Sequence, residues 1–393
     1  MHDQTCTPRF GRRILTPSGT LARIAAALAV RLVFVVAVVG SCETFHVFAA
    51  GGGSPSLDGL PAPSAALSRA VALTNQAAEA GAAEQRDRRL DEARQTLEVF
   101  LKAEPTHADA PRALIQLGIV HTARGQGLWQ AAQRATDDAA RKDTAAQSRD
   151  AFRQAESSFS EALDRLRTLV DGFPKFIEPG DPAIGRREAL KAQLLQALMY
   201  HAGVVEELAG TFAPESPESR DHFQAAADRY ERIYKDYRTL LAGLMARLKQ
   251  GQCYHRLGNT RRALGLYNDV LTQPSDLEAL RRLRVTAMYL SLEGWTGEHE
   301  KMYELAFSQG EEYLTHLRPE ERAWPEWQAV RFYTAQGYRL AADGLPAGRG
   351  AERDQWRGKS LEHVDRLVSE AGPYQEAARQ LASAWREADR GGR

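Results

Sequence analysis

The chain has 393 residues, 43% hydrophobic and 26% charged, which is the composition of a folded protein and excludes a largely disordered one. Its 51 basic residues balance its 51 acidic residues, so no overall positive field indicates nucleic acid as a partner. After Ser64 the sequence is rich in alanine, leucine, arginine and glutamate and lacks the polar–apolar alternation of strands. This part therefore predicts an all-α fold.

The first 49 residues have the pattern of an export signal. Five arginines and a single acid, Asp3, lie in residues 1–31, and the apolar run LVFVVAVVGS follows them. Val47 and Ala49 then supply the small residues of a cleavage site. A basic segment, an apolar segment and a small-residue site together predict a secretory signal peptide, cleaved after Ala49.

Three other interpretations of this segment stay open. Residues 24–42 are long enough for a membrane anchor, although Arg31 near the middle costs about 2.5–3.5 kcal/mol on insertion scales. The sequence VGSC ending at Cys42 resembles the lipobox of bacterial lipoproteins, which makes Cys42 a candidate lipidation site. The pair Arg12-Arg13 faintly resembles a twin-arginine signal but lacks the usual flanking residues.

Residues 50–64 are rich in glycine, proline and serine and predict a flexible linker. From residue 65 onward, apolar residues at helical spacing alternate with proline and glycine breaks. The predicted helices span residues 65–81, 83–103, 109–124, 126–170, 187–208, 219–239, 242–257, 261–271, 276–293, 299–317, 320–343, 352–371 and 374–388.

Two segments of this helical region differ from the rest. Residues 136–150 have few large apolar side chains, which predicts a projecting or solvent-facing extension. Residues 172–185 combine three prolines with Phe173, Phe176 and Ile177. An apolar loop of this kind either packs on the scaffold or contacts a partner, and we expect it to pack.

Residues 251–274 contain a pattern of small and large side chains. Gly251 permits close approach of a second helix, Tyr254 fills the space one turn later, and Gly258 supplies the positive φ that ends the helix. On the next helix, Ala263 is small and Tyr267, four residues later, is large. This alternation predicts a tightly packed antiparallel helix pair.

The pattern resembles the tetratricopeptide repeat (TPR) family, whose helix–turn–helix units of about 34 residues stack into a right-handed solenoid. The match is best over residues 245–274, and a weaker copy contains Leu290, Gly294 and Tyr303. Arg247 and Gln250 depart from the family pattern. The resemblance implies a right-handed α-solenoid of antiparallel helix pairs over residues 65–388, with a short disordered tail at 389–393.

The sequence makes no positive case for an enzyme, a cofactor or a metal. Cys253, Tyr254 and His255 are adjacent, whereas metal ligands on one helix lie three or four residues apart. Cys253 is the only cysteine left after cleavage at Ala49, so it has no internal disulfide partner. We interpret its side chain as a small apolar packing group.

The resemblance also implies where a partner binds. In the family the first helices of each unit line a concave groove, which places Gln252, His255 and Arg256 in one unit and Arg281 and Arg284 in the next. Arginines there suit a carboxylate or acidic segment. The alternative is that these arginines pair with local acids such as Glu278 on a solvated face.

The resulting expectation is a non-catalytic scaffold that binds a protein or peptide partner at the bacterial cell envelope, in the periplasm or anchored to a membrane. Membrane contact is expected only through the N-terminal segment. One alternative is a lipoprotein, lipidated at Cys42, similar to the TPR components of outer-membrane assembly machines. Another is an enzyme, or a regulator of one, with a site in segments 126–147 or 172–186.

Overall fold

The computed structural model describes residues 62–274, 277–322 and 324–391, with side chains up to residue 387. These ranges contain thirteen α-helices, two short 3-10 helices and no β-strand, so the predicted all-α class is confirmed. The helices are α1 (Ala65–Ala78), α2 (Ala83–Ala103), α3 (Ala110–Arg134), α4 (Asp138–Asp171), α5 (Pro182–Ala209), α6 (Pro217–Tyr237), α7 (Leu241–Arg256), α8 (Thr260–Leu271), α9 (Glu278–Thr296), α10 (Tyr303–Leu314), α11 (Pro325–Gly344), α12 (Gly350–Ser369) and α13 (Gln375–Gly391).

The predictions for the N-terminus fall outside these ranges. The expected signal peptide at residues 1–49, the alternative anchor at 24–42 and the candidate lipidation site Cys42 are not among the described residues. The same holds for the linker at 50–64, apart from its last three residues.

The helices follow one packing rule along the described chain. Each helix packs against the one before it and the one after it. In addition, α1, α3, α5, α7 and α9 each contact the next odd-numbered helix. The odd-numbered helices therefore form one continuous layer, against which the even-numbered helices pack.

The pair α7 and α8 shows how neighbouring helices approach. A Cβ added to Gly251 on α7 would overlap the ring of Tyr267 on α8, and both residues are buried. Gly258 has φ +78°, and the N–H of Asn259 behind it donates to the carbonyl of Tyr254 at 2.9 Å. This hydrogen bond closes α7 and turns the chain into α8.

The same contact recurs in the α3–α4 pair. Gly118 and Gly125 of α3 lie under the rings of Phe159 and Phe152 of α4. The α5–α6 pair is less tight, because a Cβ on Gly203 of α5 would lie 3.5 Å from the Tyr230 hydroxyl of α6, an ordinary van der Waals distance. The earlier glycine of α3 contacts the later phenylalanine of α4, and the later glycine contacts the earlier phenylalanine, so these two helices run antiparallel.

The boundary predicted between residues 124 and 126 is wrong. The third helix continues through Gly125 and Gly127 to Arg134, and the break lies at residues 135–137. Gly125 lies inside this helix, where the ring of Phe152 occupies the space that a side chain would need. Residues 136–143 are exposed, as expected for a solvent-facing segment, whereas Ala145 is buried.

Other helix boundaries also differ from the prediction. Helix α5 begins at Pro182, five residues early, because the Asp181 carboxylate accepts a hydrogen bond from the Ala183 N–H and caps it. In the loop before it, Phe173 and Ile177 are half-buried but Phe176 is 75% exposed, so the loop packs only in part. Helix α10 begins at Tyr303, and α13 continues to Gly391 into the predicted tail.

We predict opposite effects for two Gly→Ala substitutions in the α7–α8 pair. Gly251→Ala forces its new methyl into the Tyr267 ring, and such overpacking typically costs about 1–3 kcal/mol. Gly265→Ala lies on α8 with nothing within 4 Å, so it gains about 0.5–1 kcal/mol of helix propensity. Urea unfolding followed by circular dichroism measures both. Equal stabilisation by the two substitutions would show that the Gly251–Tyr267 contact does not limit helix approach.

Candidate binding face

An interaction between charged side chains joins α5 to α7 within the layer of odd-numbered helices. Lys249 Nζ of α7 lies 3.4 Å from the Glu206 carboxylate of α5. The Tyr230 hydroxyl of α6 donates a 3.0 Å hydrogen bond to the same carboxylate. Both charged side chains are about a quarter exposed or less, at 26% and 21%. The layer therefore carries charged groups that are accessible but held in place.

Three of the predicted binding residues lie beside this pair on α7. Gln252 and His255 are half-buried and Arg256 is exposed. The Oε1 atom of Gln252 is buried and accepts no hydrogen bond from the described residues. Gln252 and Arg256 are four residues apart, so their side chains occupy one face of the helix.

The charge around α7 is mixed rather than basic. Besides burial, which raises the pKa of the Cys253 thiol, the charge of Glu206 raises this pKa and the charges of Lys249 and Arg256 lower it. For Tyr267, also raised by burial, Glu293 of α9 raises the pKa and Arg256 lowers it. Acids from α5 and α9 thus flank the basic groups of α7. A partner for this face needs charges of both signs.

The other two predicted residues are engaged in contacts within the protein. Arg281 Nη2 lies 2.6 Å from Oε1 of Glu321, whose side chain is only 3% exposed. Arg284 forms a side-chain hydrogen bond with Tyr313. Burial raises the pKa of Tyr313 to about 12, so its hydroxyl stays neutral. Arg281 therefore does pair with an acid, but with Glu321 of the 3-10 helix Pro319–Glu321 rather than with Glu278.

The five predicted residues do not form one strip. Arg256 ends α7, whereas Arg281 and Arg284 lie in the first two turns of α9. Glu293, which acts on Tyr267 together with Arg256, is twelve residues after Arg281, or about 18 Å along the helix. Because consecutive helices run antiparallel, the C-terminal end of α7 lies beside the C-terminal end of α9. Arg256 therefore lies at one edge of the odd-numbered layer, and Arg281 and Arg284 lie at the opposite edge.

Cys253 has the environment of a packing residue. Its side chain is fully buried, and the described residues give it no disulfide partner. Burial raises the pKa of its thiol well above the ordinary value. Since the thiolate is the reactive form, this thiol is inert near neutral pH.

Buried tyrosines lie at the contact between α9 and α11, with the half-buried Glu293 beside them. The rings of Tyr289 of α9 and Tyr333 of α11 are parallel within 7°, with centroids 6.5 Å apart. Burial, followed by the charge and hydrogen bond of Glu293, raises the pKa of Tyr333. The sequence analysis missed Glu293, although its position four residues after Tyr289 placed both on one helix face. Trp327 and Phe332 of α11 are also buried and belong to the core.

In the two segments considered for an enzymatic site, two acids act as helix caps. The carboxylates of Asp137 and Asp181 accept hydrogen bonds from the N–H groups of Ala140 and Ala183. Across the residues that the structure describes, no group of three or more His, Cys, Asp or Glu side chains has the geometry to hold a metal ion.

No family model matches the chain, and no curated protein matches it. Among the described helices, none combines the length and the apolar character needed to cross a membrane.

We predict that Arg281 stabilises the fold. Arg281→Gln leaves the buried Glu321 carboxylate without its charged partner, a change that typically costs about 3–5 kcal/mol. As a control, Arg366→Gln breaks a pair with Glu362 whose side chains are 57% and 48% exposed. Exposed pairs contribute about 1 kcal/mol or less. Urea unfolding compares the two variants, and similar losses in both would contradict the structural role of Arg281.

Proposed function

We propose that the chain is a non-catalytic protein–protein interaction scaffold, built as a right-handed, TPR-like solenoid of antiparallel helix pairs. The packing rule of the helices is the observation that supports it. Every odd-numbered helix from α1 to α9 contacts its sequence neighbours and also the next odd-numbered helix. Stacked helix pairs have this arrangement, and their continuous inner layer provides an extended binding surface.

The binding surface in this proposal is the odd-helix face, which we define as Glu206, Lys249, Gln252, Arg256 and Glu293. Its residues come from three successive odd-numbered helices, α5, α7 and α9. Gln252 is half-buried between these charged groups and Arg256 is exposed. Alternating acidic and basic groups favour a protein or peptide segment of matching mixed charge, with His255 at the border of the face.

A charge reversal on this face tests the proposal. We expect the double substitution Gln252→Glu/Arg256→Glu to remove the partner from pull-downs of cell-envelope extracts, because it replaces a basic and a neutral group by acids. Arg232→Glu, an exposed change on the even-numbered helix α6, should leave recovery unchanged. Quantitative mass spectrometry measures the amount of partner recovered with each variant relative to the unsubstituted chain. Equal recovery with both variants, each folded by circular dichroism, would exclude this face as the binding surface.

We further propose that residues 1–49 direct the chain out of the cytoplasm. The basic segment, the apolar run and the small residues before Ala50 support this proposal.

The mature N-terminus distinguishes the possible forms. For a cleaved signal peptide we expect mass spectrometry of the purified protein to find Ala50 as the first residue. A chain beginning at an acylated Cys42 would instead indicate the lipoprotein form related to outer-membrane assembly. Retention of Met1 or of the entire 24–42 segment would contradict cleavage and favour an anchor.

A further inference from the structure

A crevice of about 500 Å³ lies where α6 and α8 end and α7 and α9 begin. It is separate from the odd-helix face, because Leu244 in its wall precedes Arg256 by twelve residues, or about 18 Å along α7. Its main lining residues are Tyr234, Arg238, Leu241, Leu244, Leu277 and Leu280.

The walls of the crevice are mostly apolar. Leu244 and Leu280 are buried at its base, whereas Leu277 is 48% exposed. A volume of this size lies within the range of sites that enclose small ligands or a few side chains. Exposed leucine beside buried leucine offers a large apolar side chain a continuous contact surface.

The described lining of the crevice carries a positive charge. Arg238 is the charged side chain among the described lining residues, and this exposed guanidinium forms no ion pair with any residue that the structure describes. The nearby Arg247 stacks on the ring of Tyr234 at 4.5 Å, but Asp269 neutralises it. The crevice therefore presents an unneutralised positive charge beside apolar walls.

The two helices that begin at the crevice add to this positive character. Leucines occupy the N-cap positions of α7 and α9, Leu240 and Leu277, and neither helix has a side-chain hydrogen bond at its cap. The first N–H groups of a helix carry a partial positive charge. These partial charges are positive, like the charge of Arg238.

We propose that this crevice docks an acidic segment of a partner protein. A large apolar side chain of the segment enters between Leu244, Leu277 and Leu280, and a neighbouring Asp or Glu side chain accepts hydrogen bonds from the Arg238 guanidinium. Charge complementarity selects this occupant, since the described lining residues of the crevice include Arg238 and no acidic side chain. The proposal rests on the proposed scaffold function and adds a second contact surface to it.

A peptide array tests the proposal with the purified full-length chain. Peptides of the form Ser-Gly-X-Z-Gly-Ser, amidated at the C-terminus, carry Leu, Phe or Ser at X and Asp, Glu, Asn or Lys at Z. We expect binding where X is apolar and Z is acidic, with at least tenfold less binding after the change to Asn. Equal binding of the Asp and Asn peptides would overturn the proposal, and so would no binding to any peptide by the folded chain.

Variants with matched controls assign the binding to the crevice. Arg238→Glu should weaken it at least tenfold and Leu277→Ser several-fold, since both positions are exposed and tolerate change. Arg232→Glu and Leu305→Ser, at exposed positions elsewhere, should have no effect. Equal loss in all four variants, or none in Arg238→Glu, would overturn the assignment. A chain that binds its partner through Arg256 but no array peptide refutes the crevice and leaves the scaffold function standing.

Discussion

The contact on which the rest of the structure depends is an aromatic ring of an even-numbered helix lying on a glycine of the preceding odd-numbered helix. It occurs in the α3–α4 pair, at Gly118 with Phe159 and at Gly125 with Phe152, and in the α7–α8 pair, at Gly251 with Tyr267. Because glycine has no Cβ, the two helices approach more closely than larger residues allow, and the ring fills the space between them. In these two pairs the contact limits the separation of the helices, and the α5–α6 pair between them has a looser contact of Gly203 with the Tyr230 hydroxyl.

Close pairing decides which side chains remain for the surface of the odd-numbered layer. The rings occupy the side of each odd-numbered helix that faces its even-numbered partner, so its polar residues lie along the contacts with the next odd-numbered helix. Glu206 and Lys249 meet across such a contact, with the Tyr230 hydroxyl bound to the same carboxylate. Tyr230, whose hydroxyl lies beside Gly203, thus also positions the Glu206 carboxylate of the odd-helix face. The packing between helices and the candidate binding surface therefore share residues. A substitution at a shared residue changes both the stability of the helix pair and the arrangement of charges on the surface.

Local patterns in the sequence predicted the helices and the α7–α8 pair, because composition, proline breaks and the spacing from Gly251 to Tyr267 are short-range signals. Gly125 misled the prediction, since a glycine that ends a helix and a glycine under a distant ring look alike until Phe152 is placed beside it. The role of Arg281 was equally hidden. Its partner Glu321 is forty residues away, in a 3-10 helix that the sequence analysis assigned to the start of a longer helix. Contacts at such separations follow from the stacking of pairs, which no local pattern encodes.

The antiparallel order also separates the two candidate surfaces. Helix α7 carries Arg256 at its last turn and Leu241 and Leu244 of the crevice at its first, about 18 Å apart by the helical rise. Substitutions more than about 10 Å apart with no shared contacts have additive effects on stability, so variants of the two surfaces can be interpreted separately. A partner long enough to reach both would nevertheless bind more tightly than either contact alone permits, because the second contact forms within the complex. The length of the partner segment, rather than new chemistry at either surface, would then determine how strongly the scaffold holds it.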